Sequence, residues 1–325
     1  MSKLMFRVGA VCKALAPLNL ALKKGRIRRF ENGSGGRLPV ADLHFRTSCQ
    51  HSACAPYVVS SADEVSKFAC VDTSKIVALF KATSAATEMD RFSTPNEYFK
   101  AVSKETKGKY NRSANKARRL GYETRLIGRD AYALSLQKIH RSMPYRSRGP
   151  VYDAFCSSTV EYFDSAHPFE PPQCPEHWRI QWGLFHRDDP EMKAFASLQR
   201  SGNFVCILEM IGHAEILSLG GMKLLQFDIM NSLLARSEPW AEGIRHLLHD
   251  GIEDGNRGLA DWRRYVHQRP TLLRYTRPEE AKVPHDFDPA VYLRLHPDVK
   301  AARMDPRRHY IWHGILEGRA YKEAT

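Results

Sequence analysis

The sequence predicts an α/β protein: a mixed central sheet flanked by helices, with a small helical module at its C-terminal end. Three observations carry that prediction. Strand-like runs alternate with helical patterns between residues 75 and 276, which builds a sheet covered by helices. One helix, Met222 to Leu234, is apolar on most sides, which places it between other layers. A charged, proline-containing stretch, 277–286, then reads as a linker to a module over 287–325.

Taken in order, residues 1–36 form a basic tail. It carries eight Lys and Arg from Lys3 to Arg29 before the first acid, Glu31, and ends in the break Asn32-Gly33-Ser34-Gly35-Gly36. Lys13 and Pro17 interrupt its apolar stretch, so a signal peptide is not expected. Contact with anionic lipid through an amphipathic segment is the alternative to a plain tail. Residues 37–74 have weak periodicity and no assignment. Lys75 to Phe80 reads as the first strand. Ser93-Thr94-Pro95-Asn96-Glu97 opens a helix with hydroxyl caps, a proline and an acid. Lys107 to Leu120 is a charged helix stopped by Gly121. Tyr122 to Ile127 is a strand, Asp130 to Ser142 a helix, and Met143 to Pro150 a turn. Three strands follow: Trp178 to His186, Ala194 to Gln199 and Phe204 to Ile211, the last two joined by a hairpin at Ser201-Gly202-Asn203. Helices are expected over Gly221 to Ala235, Ala241 to Ile252 and Gly258 to His267, and a closing strand over Thr271 to Tyr275.

Lys and Arg total 49 against 36 Asp and Glu, a formal charge of +13, so the chain should attract anions such as nucleic acid, a phosphorylated cofactor or an anionic membrane. No run of 18 apolar residues exists. A cytoplasmic location, with peripheral contact at the inner membrane as an option, is the expectation. Seven scattered cysteines do not make a disulfide framework of the small secreted type. Cys49 and Cys54 have His44 and His51 nearby, but their spacing is unusual for zinc and a second cysteine pair is missing. The expectation is no metal.

Phe287-Asp288-Pro289-Ala290-Val291-Tyr292-Leu293, Pro297-Asp298-Val299, Asp305-Pro306, His309-Tyr310, His313-Gly314 and Glu317-Gly318-Arg319 resemble a short module of bacterial proteins of cell-surface glycan assembly. It departs from that pattern at His296 and Arg303. The reading is two short helices around an aromatic core, serving as a structural element or as a docking element for glycan-assembly partners. Over about residues 76 to 275, the element order and Tyr110-Asn111-Arg112-Ser113-Ala114-Asn115-Lys116-Ala117-Arg118-Arg119-Leu120-Gly121-Tyr122 resemble the GNAT-like acyltransferases, in particular the FemAB-related branch. Gly212-His213 and Gly220-Gly221-Met222 fit as well. The resemblance implies N- or O-acyl transfer from a phosphorylated acyl donor, an acyl-CoA or an aminoacyl-tRNA. The full arginine–glycine signature that cradles a CoA pyrophosphate is absent, which also admits an inactive scaffold of the same fold.

Direct acyl transfer needs a base for the acceptor and a donor for the oxyanion, but no covalent nucleophile. His213, just past a strand after Gly212, and Glu209, an acid on an apolar strand sharing a face with Ile207 and Ile211, are the base candidates. Asp228 in the apolar helix should have a structural partner. Arg146 and Arg148 in their turn, Gly220-Gly221, and the helical stripe Lys109, Arg112, Lys116 and Arg119 are candidates for holding the donor. The stripe also suits nucleic acid, although no zinc finger or stacking motif accompanies it.

Overall fold

A computed structural model describes residues 38–46, 49, 52–71, 82–129, 131–143, 145–146, 149–150, 162–165, 167–252, 257–275, 283–284, 286–302, 304–314 and 319–323. The basic tail 1–36, the expected strand Lys75 to Phe80 and most of the linker lie outside the described residues.

The unassigned stretch contributes a strand and a helix, β1 (Val40–Asp42) and α1 (Ala55–Ser66). Next come β2 (Ser84–Glu88), α2 (Pro95–Thr106) and α3 (Lys109–Arg119). Thr94 caps α2 by accepting the Glu97 N–H at 3.3 Å, and the Glu97 carboxylate accepts the Ser93 N–H at 2.7 Å. Lys107 and Gly108, at φ 51° and 74°, turn the chain between α2 and α3. β3 (Tyr122–Ile127) and α4 (Ala133–Arg141) follow, then a two-residue ladder of β4 (Tyr145–Arg146) with β5 (Gly149–Pro150). The long antiparallel run is β6 (His177–His186), β7 (Asp189–Ser201) and β8 (Phe204–Gly212). A short α5 (Ala214–Leu217) leads to α6 (Gly221–Ala235), β9 (His246–Gly251), α7 (Arg257–Tyr265) and β10 (Arg269–Arg274).

The eight-stranded sheet has the order β1-β10-β2-β9-β8-β7-β6-β3. Neighbours are antiparallel except β1 with β10 and β8 with β9. One face is covered by α2, α3 and α6, where Tyr98, Val102, Ala114, Ala117, Leu224 and Leu225 meet the tryptophans of β6. On the other face, α1 packs Val58, Ala62 and Val65 on Phe204 and Leu248, and α4 packs Ile139 on Phe195 and Ile211. The apolar-all-round helix is therefore α6, buried under the sheet as its composition requires.

Two expectations are corrected. The helix expected over Ala241 to Ile252 is instead the central strand β9. Leu247 faces the α6 side and Leu248 the α1 side, both buried, so the strand shows no alternation. The register of β8 also shifts: Ser197 pairs with Glu209 but Leu198 with Ile207, leaving Leu208 as a bulge. Ile207 therefore lies on the α6 face and Ile211 on the α4 face, and Glu209 does not share a face with Ile207.

The C-terminal module has its own core of Phe287, Tyr292, Val299 and Tyr310. Among the described residues it contains three short α-helices, α8 (Pro289–Leu295), α9 (Pro297–Ala301) and α10 (Pro306–His309), with a π-helical segment Tyr310–Gly314 after them, where two helices were expected. Pro297 restarts the chain after His296, while Asp288 and Asp305 cap α8 and α10 through backbone N–H groups. Buried His309 hydrogen-bonds the Tyr292 hydroxyl at 3.0 Å; the side chain of His313 lies outside the described residues.

Candidate functional site

The centre of the sheet opens. β8 and β9 pair in parallel over only three positions, Phe204 with His246, Val205 with Leu247 and Cys206 with Leu248. β8 then continues through the bulge at Leu208 to Gly212, and β9 continues to Gly251 beside β2, with no further register between them. Beyond Cys206, the edge of β8 facing β9 is no longer occupied by that strand. Backbone donors at such an edge can serve a ligand carbonyl.

Glu209 sits just past the bulge. Its carboxylate lies 2.9 Å from His140 Nε2, at the end of α4, and both side chains are partly exposed. This imidazole–carboxylate pair can take and hold a proton, the carboxylate orienting the ring. His140 was not foreseen: a histidine ending an amphipathic helix has no local signature. The one clue was an acid in an apolar strand, which needs a partner.

His213 follows Gly212 and caps α5, its Nδ1 accepting the Glu215 N–H at 3.4 Å. That contact needs a neutral ring, whereas the 3.5 Å approach to the Glu215 carboxylate becomes an ion pair only on protonation. The Ala214 N–H donates to Ser142 Oγ at 3.0 Å, tying the end of α4 to this corner. Glu209 and His213 thus have different partners, and no contact joins them among the described residues.

Arg112, Lys116 and Arg119 are exposed along α3, with Lys109 at its start, while Tyr110, Ala114 and Ala117 of the same helix are buried. Asp228 has its structural partners: it pairs with Arg118 of α3 and accepts from Thr124 Oγ1 at 2.9 Å. Gly220 has φ 93°, and a Cβ there would lie 2.2 Å from the Ser113 carbonyl oxygen of α3; at Gly221 a Cβ would lie 2.8 Å from Leu184. Close packing thus leaves no room for a side chain at either glycine, against α3 at Gly220 and against β6 at Gly221. Arg146 belongs to the β4–β5 ladder, but its side chain and all of Arg148 lie outside the described residues.

A cleft of about 580 Å³ opens on the α1–α4 face, lined in part by Tyr57, Ile127, Arg129, Phe169 and Arg179. Neither Glu209 nor His213 lines it. Cys54, Cys174 and His177 lie at its edge, and Cys49 is beside them. Cys174 and His177 stand beside Cys49 and Cys54, where the sequence offered no second cysteine pair. Ligand atoms of all four residues lie within 4.8 Å of one another, against the expectation of no metal. His44 is exposed, and His51 lies outside the described residues.

Strand–helix–three antiparallel strands–helix–parallel strand–helix–strand, opening between the two parallel strands, is the order from β3 to β10. The fold is GNAT-like. β2, inserted between β9 and β10, and β1 at the edge enlarge the sheet. No family model matches the chain, and no curated protein matches it. Similar solved structures include L-PGS from Bacillus licheniformis, 14% identical over 55% of this chain and 49% of that one, with a TM-score of 0.33. A tandem GNAT protein from the clavulanic acid biosynthesis pathway is 13% identical over 58% and 50%, with a TM-score of 0.35. A GCN5-related N-acetyltransferase from Kribbella flavida is 11% identical over 46% and 47%, with a TM-score of 0.29. The chain thus spans about half the length of these structures. No helix among the described residues is long and apolar enough to cross a membrane.

Proposed function

We propose that the protein is an acyltransferase, moving an acyl group from a phosphorylated donor to an amine or hydroxyl acceptor at the opening between β8 and β9. The observation that carries this reading is the end of the parallel ladder at Cys206 and Leu248, with the Leu208 bulge and the Glu209–His140 pair directly beyond it. The acyl carbonyl would accept backbone N–H groups of β8 beyond Cys206. The acceptor would form its bond to the carbonyl carbon and lose its proton to the Glu209–His140 pair. The donor thiol or ribose oxygen would leave and take up a proton. This reading places the base on Glu209 with His140, and leaves His213 as a helix cap.

The exposed stripe Lys109, Arg112, Lys116 and Arg119 supports a polyphosphate-bearing donor, an acyl-CoA first and an aminoacyl-tRNA second. The module over 287–325 would dock a partner in surface-glycan assembly, giving the activity its envelope context.

Thermal unfolding and thiol release with a panel of acyl-CoAs test the reading, with aminoacyl-tRNA as a second arm. Stabilisation by one donor class, weakening as salt rises, is the expected result. No stabilisation and no transfer with either class would overturn it.

A further inference from the structure

Four side chains meet where the N-terminal segment crosses the start of β6. Cys54 ends the turn Ser52–Cys54 that leads into α1, Cys49 lies just before it in the chain, and Cys174 and His177 lie at the entry to β6. Cys49 Sγ is 3.3 Å from Cys54 Sγ and 3.5 Å from Cys174 Sγ, and Cys174 Sγ is 3.5 Å from His177 Nδ1. A tetrahedral zinc ion with bonds of about 2.3 Å to sulfur and about 2.0 Å to nitrogen holds its ligand atoms roughly 3.5–3.8 Å apart. Those three contacts are close to these dimensions, and all four ligand atoms lie within 4.8 Å of one another.

The histidine is set for this role. Its Nε2 lies 2.7 Å from the Phe45 carbonyl oxygen. A carbonyl can only accept, so the ring proton is on Nε2 and the Nδ1 lone pair points toward the thiols. A ligating histidine is held in this way by its other nitrogen. The Cys49 N–H donates to the Glu176 carboxylate at 3.0 Å, fixing the first ligand's backbone.

All four residues are buried, from 2% exposure at His177 to 8% at Cys49. Four protein ligands fill a tetrahedron and leave no position for water or substrate, which is the pattern of a structural rather than a catalytic zinc site.

We propose that Cys49, Cys54, Cys174 and His177 bind one zinc ion in a closed site that fastens β1 and α1 to β6. Each thiol gives up its proton to solvent on binding, and the imidazole enters neutral. The site is independent of acyl transfer, so either idea can fail alone.

Metal analysis of the full chain, purified without chelator, should find about one zinc per chain. Cys174→Ser and His177→Ala should lose it, and Cys70→Ser, outside the cluster, should keep it. A second measurement, independent of whether those variants fold, uses the unaltered chain. Cobalt exchanged into it should show the visible bands of a tetrahedral ion and near-ultraviolet thiolate charge transfer. Absence of both zinc and those cobalt bands would overturn the proposal. So would a Cys49–Cys54 disulfide in the protein as purified, read as a mass lighter by two hydrogens and placed by peptide mapping.

Discussion

Replacing Gly220 by alanine separates packing from ligand binding as the reason for that glycine. Gly220 has φ 93° and Gly108 has φ 74°, so alanine meets a similar left-handed cost at each, about 1–2 kcal/mol. The surroundings differ. At Gly108 the new Cβ meets the Arg112 guanidinium at 2.8 Å, the end of an exposed side chain that can swing away. At Gly220 it meets the Ser113 carbonyl oxygen at 2.2 Å, in an α3 whose Ala114 and Ala117 are fully buried. Backbone cannot rotate aside, so α3 must lift from α6, an overpacking cost of about 1–3 kcal/mol. Gly220→Ala should therefore lose about 2–5 kcal/mol in all, and about 1–3 kcal/mol more than Gly108→Ala. For domains of about 150–250 residues, each kcal/mol lowers Tm by about 2–4 °C. Urea unfolding followed by tryptophan fluorescence reads both variants. If Gly220→Ala is no less stable than Gly108→Ala, the close approach of α3 is not what requires glycine.

Glu209→Gln should lower kcat roughly 100-fold with little change in donor KM, as should His140→Ala; normal turnover in both variants would remove the pair from the chemistry. Burial, as the leading cause, holds His246 and His267 below the usual imidazole range. The unfolded chain therefore protonates first, and stability should be full above about pH 6.5 and fall as pH drops from there toward the folded values. Urea midpoints on both sides of that pH would show it, and His246→Gln should flatten the change; an unaltered pH slope would reject the assignment. The Arg118–Asp228 pair is half exposed at its arginine, so a double-mutant cycle should give a coupling of no more than about 1 kcal/mol.

Glycines and caps made much of the fold legible. Gly121 ends α3 at φ 89° and releases the six residues of β3, whose exposure alternates, and Gly220-Gly221 opens α6 where the apolar run begins. β9 was not legible, because a strand buried on both faces loses its two-residue period and Leu247-Leu248 suits a helix equally well. The bulge at Leu208 has no local mark, and one extra residue was enough to move Glu209 to the other face from Ile207. The site was half readable. Glu209 was conspicuous by its charge, but its partner His140 lies on another element. Cys49 and Cys54 were visible as a close pair, but Cys174, which meets Cys49, lies 125 residues further on.

The strand order also bears on synthesis. β10 sits between β1 and β2, and Asp42 at the end of β1 pairs with Arg274, 232 residues away. At about 5–20 residues per second, the first strand waits on the order of ten to fifty seconds for its neighbour to leave the ribosome. Until then an unpaired edge stays open to the wrong partner. Anything that held the early segment in place during that interval would shorten its exposure.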